Sequence, residues 1–521
     1  MGALRSWLEG RWVEGSGTET PLHDPTNGDV VATVRPPGTD LGKALAYARE
    51  RGGPALRSMT FAARAAMLEG LASAVHRARD ELIELSRRSG GTTRGDAKFD
   101  IDGAIATMQA YVAVGRSLGE RTVLLDGDAE GVLRSKRFVA QHLYTPRRGV
   151  AVHLNAFNFP AWGMAEKAAV AWLAGVPVLA KPATATSPLA ARIGELWVAT
   201  GLLPDGAFNL LVGPAGDLLD HLGPQDNVAF TGGSDTARLV RGHPAVVDHN
   251  VRVNIEADSL NVSIVGPDAT PGTDTFQMFV NDAVRDLAQK AGQKCTAVRR
   301  ILIPSAFADD AVAALVDRLS TLRVGDPAAR DTDVGPVASA PQRASVHKGL
   351  AALDAAATRV WRADAPEGGC FVPPSLYRTD AGVGASFVND HEVFGPVMTV
   401  LTYGGDGEEA VAIAARGGGG LVASVYTDDV AWAKPVLLGL APWHGRIHWG
   451  SKKVHDQSPG PGTVLATLVH GGPGRAGGGE ELGGFRGMAF YQQRTAVQAD
   501  RSLLERVLDL PSSESPATGV R

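Results

Sequence analysis

Residues 149–182, GVAVHLNAFNFPAWGMAEKAAVAWLAGVPVLAKP, decide the fold of this chain. GVAVHLNAF (149–157) is an apolar run rich in strand formers. PAWGMAEKAAVAWLAG (160–175) reads as a helix, with Pro160 near its start and Gly175 at its end, the two places where proline and glycine suit a helix best. VPVLAKP (176–182) reads as a second strand. Parallel strands need a crossover between them, so strand–helix–strand predicts a parallel sheet of α/β class. The alternation continues through a helix at 188–200 and strands in AFNLLVG and NVAFTGG. Such doubly wound sheets bind ligands in the crevice beyond the carboxyl ends of their strands. That rule directs attention to Asn158, Lys181, FTGGSD (230–235) and Glu256, each of which closes a strand.

Working outward, residues 5–35 read as short strands and turns, and about 40–120 as helices. KRFVAQHLY (136–144) reads as a strand closed by Pro146. A second alternation follows Asn261: NVSIVG, a helix over 274–292, RRILIP, and a helix over 306–321. It predicts a second α/β domain. The glycine-rich stretch 471–484 reads as an irregular loop, and PSSESPATGVR as a frayed tail. The chain has 521 residues, 44% hydrophobic and 21% charged, with net charge -5. This is globular composition with no basic domain, and no nucleic-acid partner is expected. Two cysteines, Cys295 and Cys370, suit a reducing cytoplasm. The start lacks the apolar core of a signal peptide, and no run of 18 apolar residues predicts a membrane span. MGALRS fits a loose myristoylation pattern that is set aside as chance.

Cys295 lies in GQKCTAVRR after a helical stretch, beside Lys294. A thiol becomes a nucleophile as its thiolate, and a nearby cation or helix dipole favours that form. An inert buried thiol is the plainer reading of any lone cysteine, and Cys370, in EGGCFVPPSLY, keeps it. Glu256 in VRVNIEADSLN ends an apolar strand. Partial burial there predicts a raised pKa and a base working near neutral pH. Asn158 in NAFNFPAW could donate to an oxyanion or cap the next helix. Lys181 could meet a ribose hydroxyl or phosphate, and the amides of FTGGSD could hold a pyrophosphate at a helix start. HEVFGPV (391–397) carries Glu392 and Phe394. Gly472–Gly477 matches GxGxxG, but Pro473 and further glycines stand where a helix should begin. HExxH and paired CxxC motifs do not occur, and the one GxSxG match, GRSLG (115–119), falls in the stretch read as helices rather than after a strand, so serine-hydrolase and zinc readings lack support and no metal is expected.

Taken in order, these motifs resemble the aldehyde dehydrogenase superfamily over about residues 5–500. FNFP, KPA, FTGGSD, the Glu256 segment, GQKC and HEVFGP follow one another, with Glu256 falling 98 positions after Asn158 and 39 before Cys295. The resemblance implies the aldehyde dehydrogenase fold: a Rossmann-like cofactor domain (1–126 and 146–257), a second α/β catalytic domain (258–468) and a small β oligomerisation element (127–145 and 485–505). It makes Cys295 the nucleophile, Glu256 the general base and Asn158 the oxyanion donor. It places Phe157, Lys181, Thr184, Thr231, Gly232, Gly233, Ser234, Glu392 and Phe394 around the cofactor. An aldehyde would become a carboxylic acid through a thiohemiacetal and a thioester on Cys295.

Two departures narrow the match. Ala257-Asp258-Ser259 replaces the usual Leu-Gly-Gly, and Ala237 replaces a glycine. Both resemble the branch that oxidises CoA-linked semialdehydes in aromatic degradation, in its shorter, single-function form. Many NAD-preferring relatives carry an acid three residues after the KPA lysine. Here Thr184 stands there, which removes repulsion against a 2′-phosphate, so NADP is expected ahead of NAD. Glu256 argues against acyl transfer to free CoA, since that branch dispenses with the water-activating glutamate. KRFVAQHLY and MAFYQQRTAV look like strands that need a partner subunit, so a homodimer is expected, with a dimer of dimers as its extension. Two rivals stay open: NAD-dependent oxidation of a simple free aldehyde or semialdehyde, and an inactive structural or binding scaffold of the same fold.

Overall fold

The computed structural model describes residues 2–132 and 137–508. Lys136 and the tail from 509 on lie outside the described residues.

The predicted parallel sheet is present. Its order is Arg252–Glu256, Asn227–Thr231, Ala151–Leu154, Val178–Lys181, Phe208–Leu210, all parallel. Ser6–Leu8 and Arg11–Val13 add an antiparallel edge. The connecting helix runs Trp162–Leu173, and every residue in it but Gly163 is buried. Gly175 ends the segment at φ 87°, a conformation open to glycine at little cost. Helices Phe61–Arg77 and Arg94–Leu118 cover this face, so the apolar run 164–173 is enclosed on all sides.

The second sheet holds seven strands, in the order Thr358–Arg362, Ser375–Thr379, Val397–Tyr403, Arg300–Pro304, Val262–Val265, Gly420–Tyr426, His444–Gly450. Only the first of these pairs antiparallel. The chain passes from one sheet to the other between Glu256 and Val262. Among the described residues no helix is long and apolar enough to cross a membrane.

Three expectations need correction. The helix from 274 stops at Ala288 rather than 292, because Lys290 and Ala291 adopt left-handed backbone, φ 53° and 50°. The stretch 471–484 is not an irregular loop. Val469–Gly472 and Gly479–Leu482 form an antiparallel hairpin pairing His470 with Glu481. Its glycines serve close packing rather than flexibility: a Cβ on Gly477 or Gly479 would stand 2.3 or 2.4 Å from the Ile255 carbonyl oxygen. Finally, Phe138–Pro146 is the middle strand of a three-stranded antiparallel sheet, between Leu124–Gly131 and Gln492–Asp500. The 488–491 part of MAFYQQRTAV is a 3-10 turn, so that strand starts at Gln492.

Candidate active site

Cys295 owes its position to the left-handed break before it. Two non-glycine residues in that region cost on the order of 1–3 kcal/mol each, so the surroundings must hold them. Lys290 is held by the buried Asp100 carboxylate at 3.6 Å and by the face of Phe159, 4.2 Å from the ring centre. Gly292 follows at φ 67°, where a Cβ would stand 2.2 Å from the Gly395 carbonyl oxygen. The chain then turns, and Asn261 Nδ2 donates to the carbonyls of Cys295 at 2.7 Å and Ala297 at 2.9 Å. Asn158 is not a helix cap. Asp100 accepts from Trp162 N at 2.8 Å in that role, while Asn158 Nδ2 donates to the Gln293 carbonyl at 3.1 Å. The amide is thereby held against the loop that carries Cys295.

Glu256 is the last residue of its strand and 2% exposed. Asn158, Glu256 and Cys295 line one cleft of about 490 Å³, together with Phe159, Trp162 and His470. His470 was not singled out from the sequence. Its Nε2 stands 3.1 Å from Glu256 Oε2 and 3.8 Å from Cys295 Sγ. Neither carboxylate oxygen of Glu256 accepts a hydrogen bond of good geometry among the described residues. Burial pushes the Glu256 carboxyl up, but the His470 charge and contact outweigh it and hold the group below the usual carboxylate range. The expected raised pKa is therefore wrong, and the reason is an opposite charge within contact distance. Burial and the Glu256 charge push the Cys295 thiol up to about 11, with His470 opposing both. Burial disfavours the His470 imidazolium, but Glu256 and Cys295 more than compensate and raise it well above the ordinary value.

The expected help from Lys294 is absent. Its ammonium goes to Asp286 at 2.6 Å and Gln289 at 2.8 Å. A second charged group lies behind the site instead: Lys167 Nζ contacts Glu481 at 3.0 Å and Glu166 at 3.3 Å, all three buried. Burial raises Glu166 to about 7, against the pull of Lys167. The pair in GMAEKAAVAW carried a readable signal, since two charges in a wholly apolar helix demand buried partners. His470 carried none: its partners lie 175 and 214 positions away, on a loop and at a strand end.

Of the residues expected around a cofactor, Lys181 and Thr231 close strands of the same sheet as Glu256, while Glu392 and Phe394 precede a strand of the second sheet. Lys181 closes Val178–Lys181, and Thr184 opens a short turn in which its hydroxyl donates to the Gly213 carbonyl at 3.3 Å. Thr231 Oγ1 is buried and has no hydrogen-bond partner among the described residues. The loop amides are less available than expected. Gly232 N donates to the Glu256 carbonyl at 3.1 Å, and Ser234 N to Asp258 Oδ1 at 3.2 Å, which takes up two of the loop's amides. Gly233 precedes the helix Ser234–Arg241. Phe157 and Phe394 meet edge to face at 5.9 Å. Glu392 is fully engaged, by Arg299 Nε at 3.0 Å and Ser259 N at 2.9 Å. The unusual Asp258 and Ser259 thus act as fasteners, one to a helix start and one to Glu392. Cys370 is buried against the N-terminal turn at Pro25.

A thiol, an imidazole and a carboxylate meeting at the carboxyl edge of an α/β sheet define an enzyme site of the thiol–carboxylate class. The family is then plain: a model described as the aldehyde dehydrogenase family matches residues 12–497, and the chain belongs to that family. It is 44% identical over 479 residues to 3,4-dehydroadipyl-CoA semialdehyde dehydrogenase of Aromatoleum evansii, covering 90% of this chain and 93% of that protein. It is 27% identical over 497 residues to betaine aldehyde dehydrogenase of Bacillus subtilis (strain 168), covering 92% and 94%. Among solved structures, betaine aldehyde dehydrogenase of Staphylococcus aureus in complex with NAD+ superposes with TM-score 0.83 at 24% identity, over 95% of each chain. That likeness shows the fold.

Proposed function

We propose that this aldehyde dehydrogenase oxidises the aldehyde end of a CoA-linked semialdehyde, 3,4-dehydroadipyl-CoA semialdehyde, to the acid, with NADP preferred. One observation carries the chemistry: Cys295 Sγ, the Asn158 amide and the buried Glu256 carboxylate share one cleft. Cys295 attacks the carbonyl carbon, and the oxygen that becomes negative is held by the Asn158 side chain and the Cys295 N–H. A bound nicotinamide would supply the two-electron acceptor this chemistry needs, since no side chain can. The acyl group then rests on Cys295 as a thioester. Glu256 takes a proton from water as the water adds, and the acid leaves with Cys295 restored. The substrate reading draws on the name of the Aromatoleum relative and on the Asp258 and Ser259 departures.

The residues fit a dinucleotide. Lys181 offers a cation at a strand end, Thr231 an unpartnered buried hydroxyl, and Phe157 and Phe394 apolar walls. With Thr184 in place of an acid, a 2′-phosphate beside Lys181 meets no like charge from position 184. The ratio of kcat/KM for NADP over NAD is expected above one with the best substrate of a panel of free and CoA-linked aldehydes. Thr184→Glu should lower that ratio about 100-fold, the scale of a like-charge clash. A ratio favouring NAD in the unaltered protein removes the cofactor reading, and equal turnover of short free aldehydes removes the CoA reading.

We read the first sheet, with residues 1–126 and 146–257, as the cofactor-binding unit and 258–468 as the catalytic unit. The three-stranded sheet from 127–145 and 485–505 is read as the assembly element. Its edge strand Gln492–Asp500 is nine residues long and mostly exposed, an unprotected edge of the kind that invites pairing. A dimer mass is expected in light scattering at micromolar chain concentration, and a monomer there rejects the assembly reading.

A further inference from the structure

We infer that His470 is a catalytic residue: its imidazolium, placed between Glu256 and Cys295, supplies the positive charge beside which the Cys295 thiol ionises. The inference rests on the reading of Cys295 as nucleophile.

The geometry sets up a conflict that His470 resolves. Sγ, a Glu256 oxygen and the His470 ring nitrogen all lie within 4.8 Å of one another. A thiolate and a carboxylate that close together, both in a buried site, repel strongly. A single cation between them, 3.1 Å from one and 3.8 Å from the other, lets both be anionic. The candidate from the adjacent position, Lys294, is committed to Asp286. The other charged groups around the pair are Lys167 and Glu166 from Trp162–Leu173, Glu481 across the hairpin, and Arg446 from His444–Gly450. Lys167 already serves two carboxylates, and the Arg446 guanidinium donates to the carbonyls of Pro461 and Thr463.

Nε2 carries one hydrogen, which can point to one anion at a time. At rest it lies nearer the carboxylate, and the thiol keeps its proton. When the thiol loses its proton to solvent, Nε2–H turns to the sulfur. The thiolate then forms the S–C bond as the C=O pair moves onto oxygen. The hairpin glycines bring this about by letting the backbone carrying His470 lie against the strand carrying Glu256.

The test reads Cys295 alone, without aldehyde or cofactor. Alkylation by iodoacetamide is followed against pH, with the Cys295 and Cys370 peptides separated by mass. Replacing His470 by Gln should slow Cys295 alkylation about tenfold or more near pH 7, with the rates converging at high pH, as for a thiol pKa raised by at least about one unit. His470→Lys, which keeps a cation and the Glu256 pair, should stay within about threefold of the unaltered protein. It also serves where the glutamine variant fails to fold. Adding Glu256→Gln to His470→Gln should recover part of the loss, because the repelling carboxylate is gone. A purely structural role would show neither charge rescue nor this recovery. An unchanged profile in His470→Gln, or a lysine variant as slow as the glutamine one, overturns the inference. The parent reading fails separately: Cys295→Ala that still oxidises aldehydes would remove the nucleophile, whatever the alkylation profile shows.

Discussion

Cys295→Ala is expected to abolish aldehyde oxidation, with kcat falling on the order of 10⁵-fold. Among the described residues nothing near the cleft can replace the sulfur. Cys370 is buried behind the N-terminal turn at Pro25. Thr296, the neighbouring hydroxyl, donates to the Gly462 carbonyl at 3.3 Å. Without the S–C bond there is no tetrahedral adduct, and so no species from which two electrons can leave. The fold should persist, because the Cys295 side chain lines a cleft and its carbonyl remains held by Asn261. Reduced-cofactor formation followed by fluorescence, beside a melting curve, checks both halves. Turnover within about tenfold of the unaltered protein would remove Cys295 from the chemistry.

Glu256→Gln should fail later and differently. Acylation still proceeds, so one equivalent of reduced cofactor appears per active site. The thioester then stalls, and steady-state turnover falls about 10³-fold, within the usual range for a lost general base. Intact-mass measurement should show the acyl group on Cys295. The pH dependence follows from the sign of the shift. The folded pKa of Glu256 is lowered, so its base form is fully present above the ordinary carboxylate pKa and is lost only as pH falls through the lower, folded value. Any acid limb of kcat seen near neutral pH in the unaltered protein therefore belongs to another group. Glutamine also removes the His470 counter-charge, so the burst phase should keep its amplitude while its rate reports the altered pair. Absence of a burst, with slow linear turnover alone, would mean that Glu256 acts before or during acylation.

Much of this was legible in the order of residues. The parallel sheet followed from apolar runs too short to be helices, separated by one long enough to be the crossover, at 149–182. Cys295, Glu256 and Asn158 were found because strand ends and helix–strand junctions mark where side chains enter a crevice. The errors have physical causes too. The glycines of 471–479 looked like loop because composition records backbone freedom, whereas here their missing Cβ atoms admit the Ile255 backbone. The raised pKa expected of Glu256 came from burial alone, since the imidazole that reverses it lies 214 positions later. The break at Lys290 was invisible because lysine and alanine favour helix, and partners distant along the chain, Asp100 and Phe159 at Lys290 and the Gly395 backbone at Gly292, hold the segment out of it.

Local pattern, then, determined the α/β class, the sheet and the chemical type of the reacting groups, because strand and helix periods and chain-end signals are short-range properties of the residues themselves. Tertiary packing alone decided which charges face one another: it took Lys294 away from the sulfur, gave Glu392 to Arg299, and set His470 between a thiol and a carboxylate. Coulomb interactions depend on distance in space, and that distance is fixed by how the two sheets and the hairpin close together rather than by any spacing along the chain.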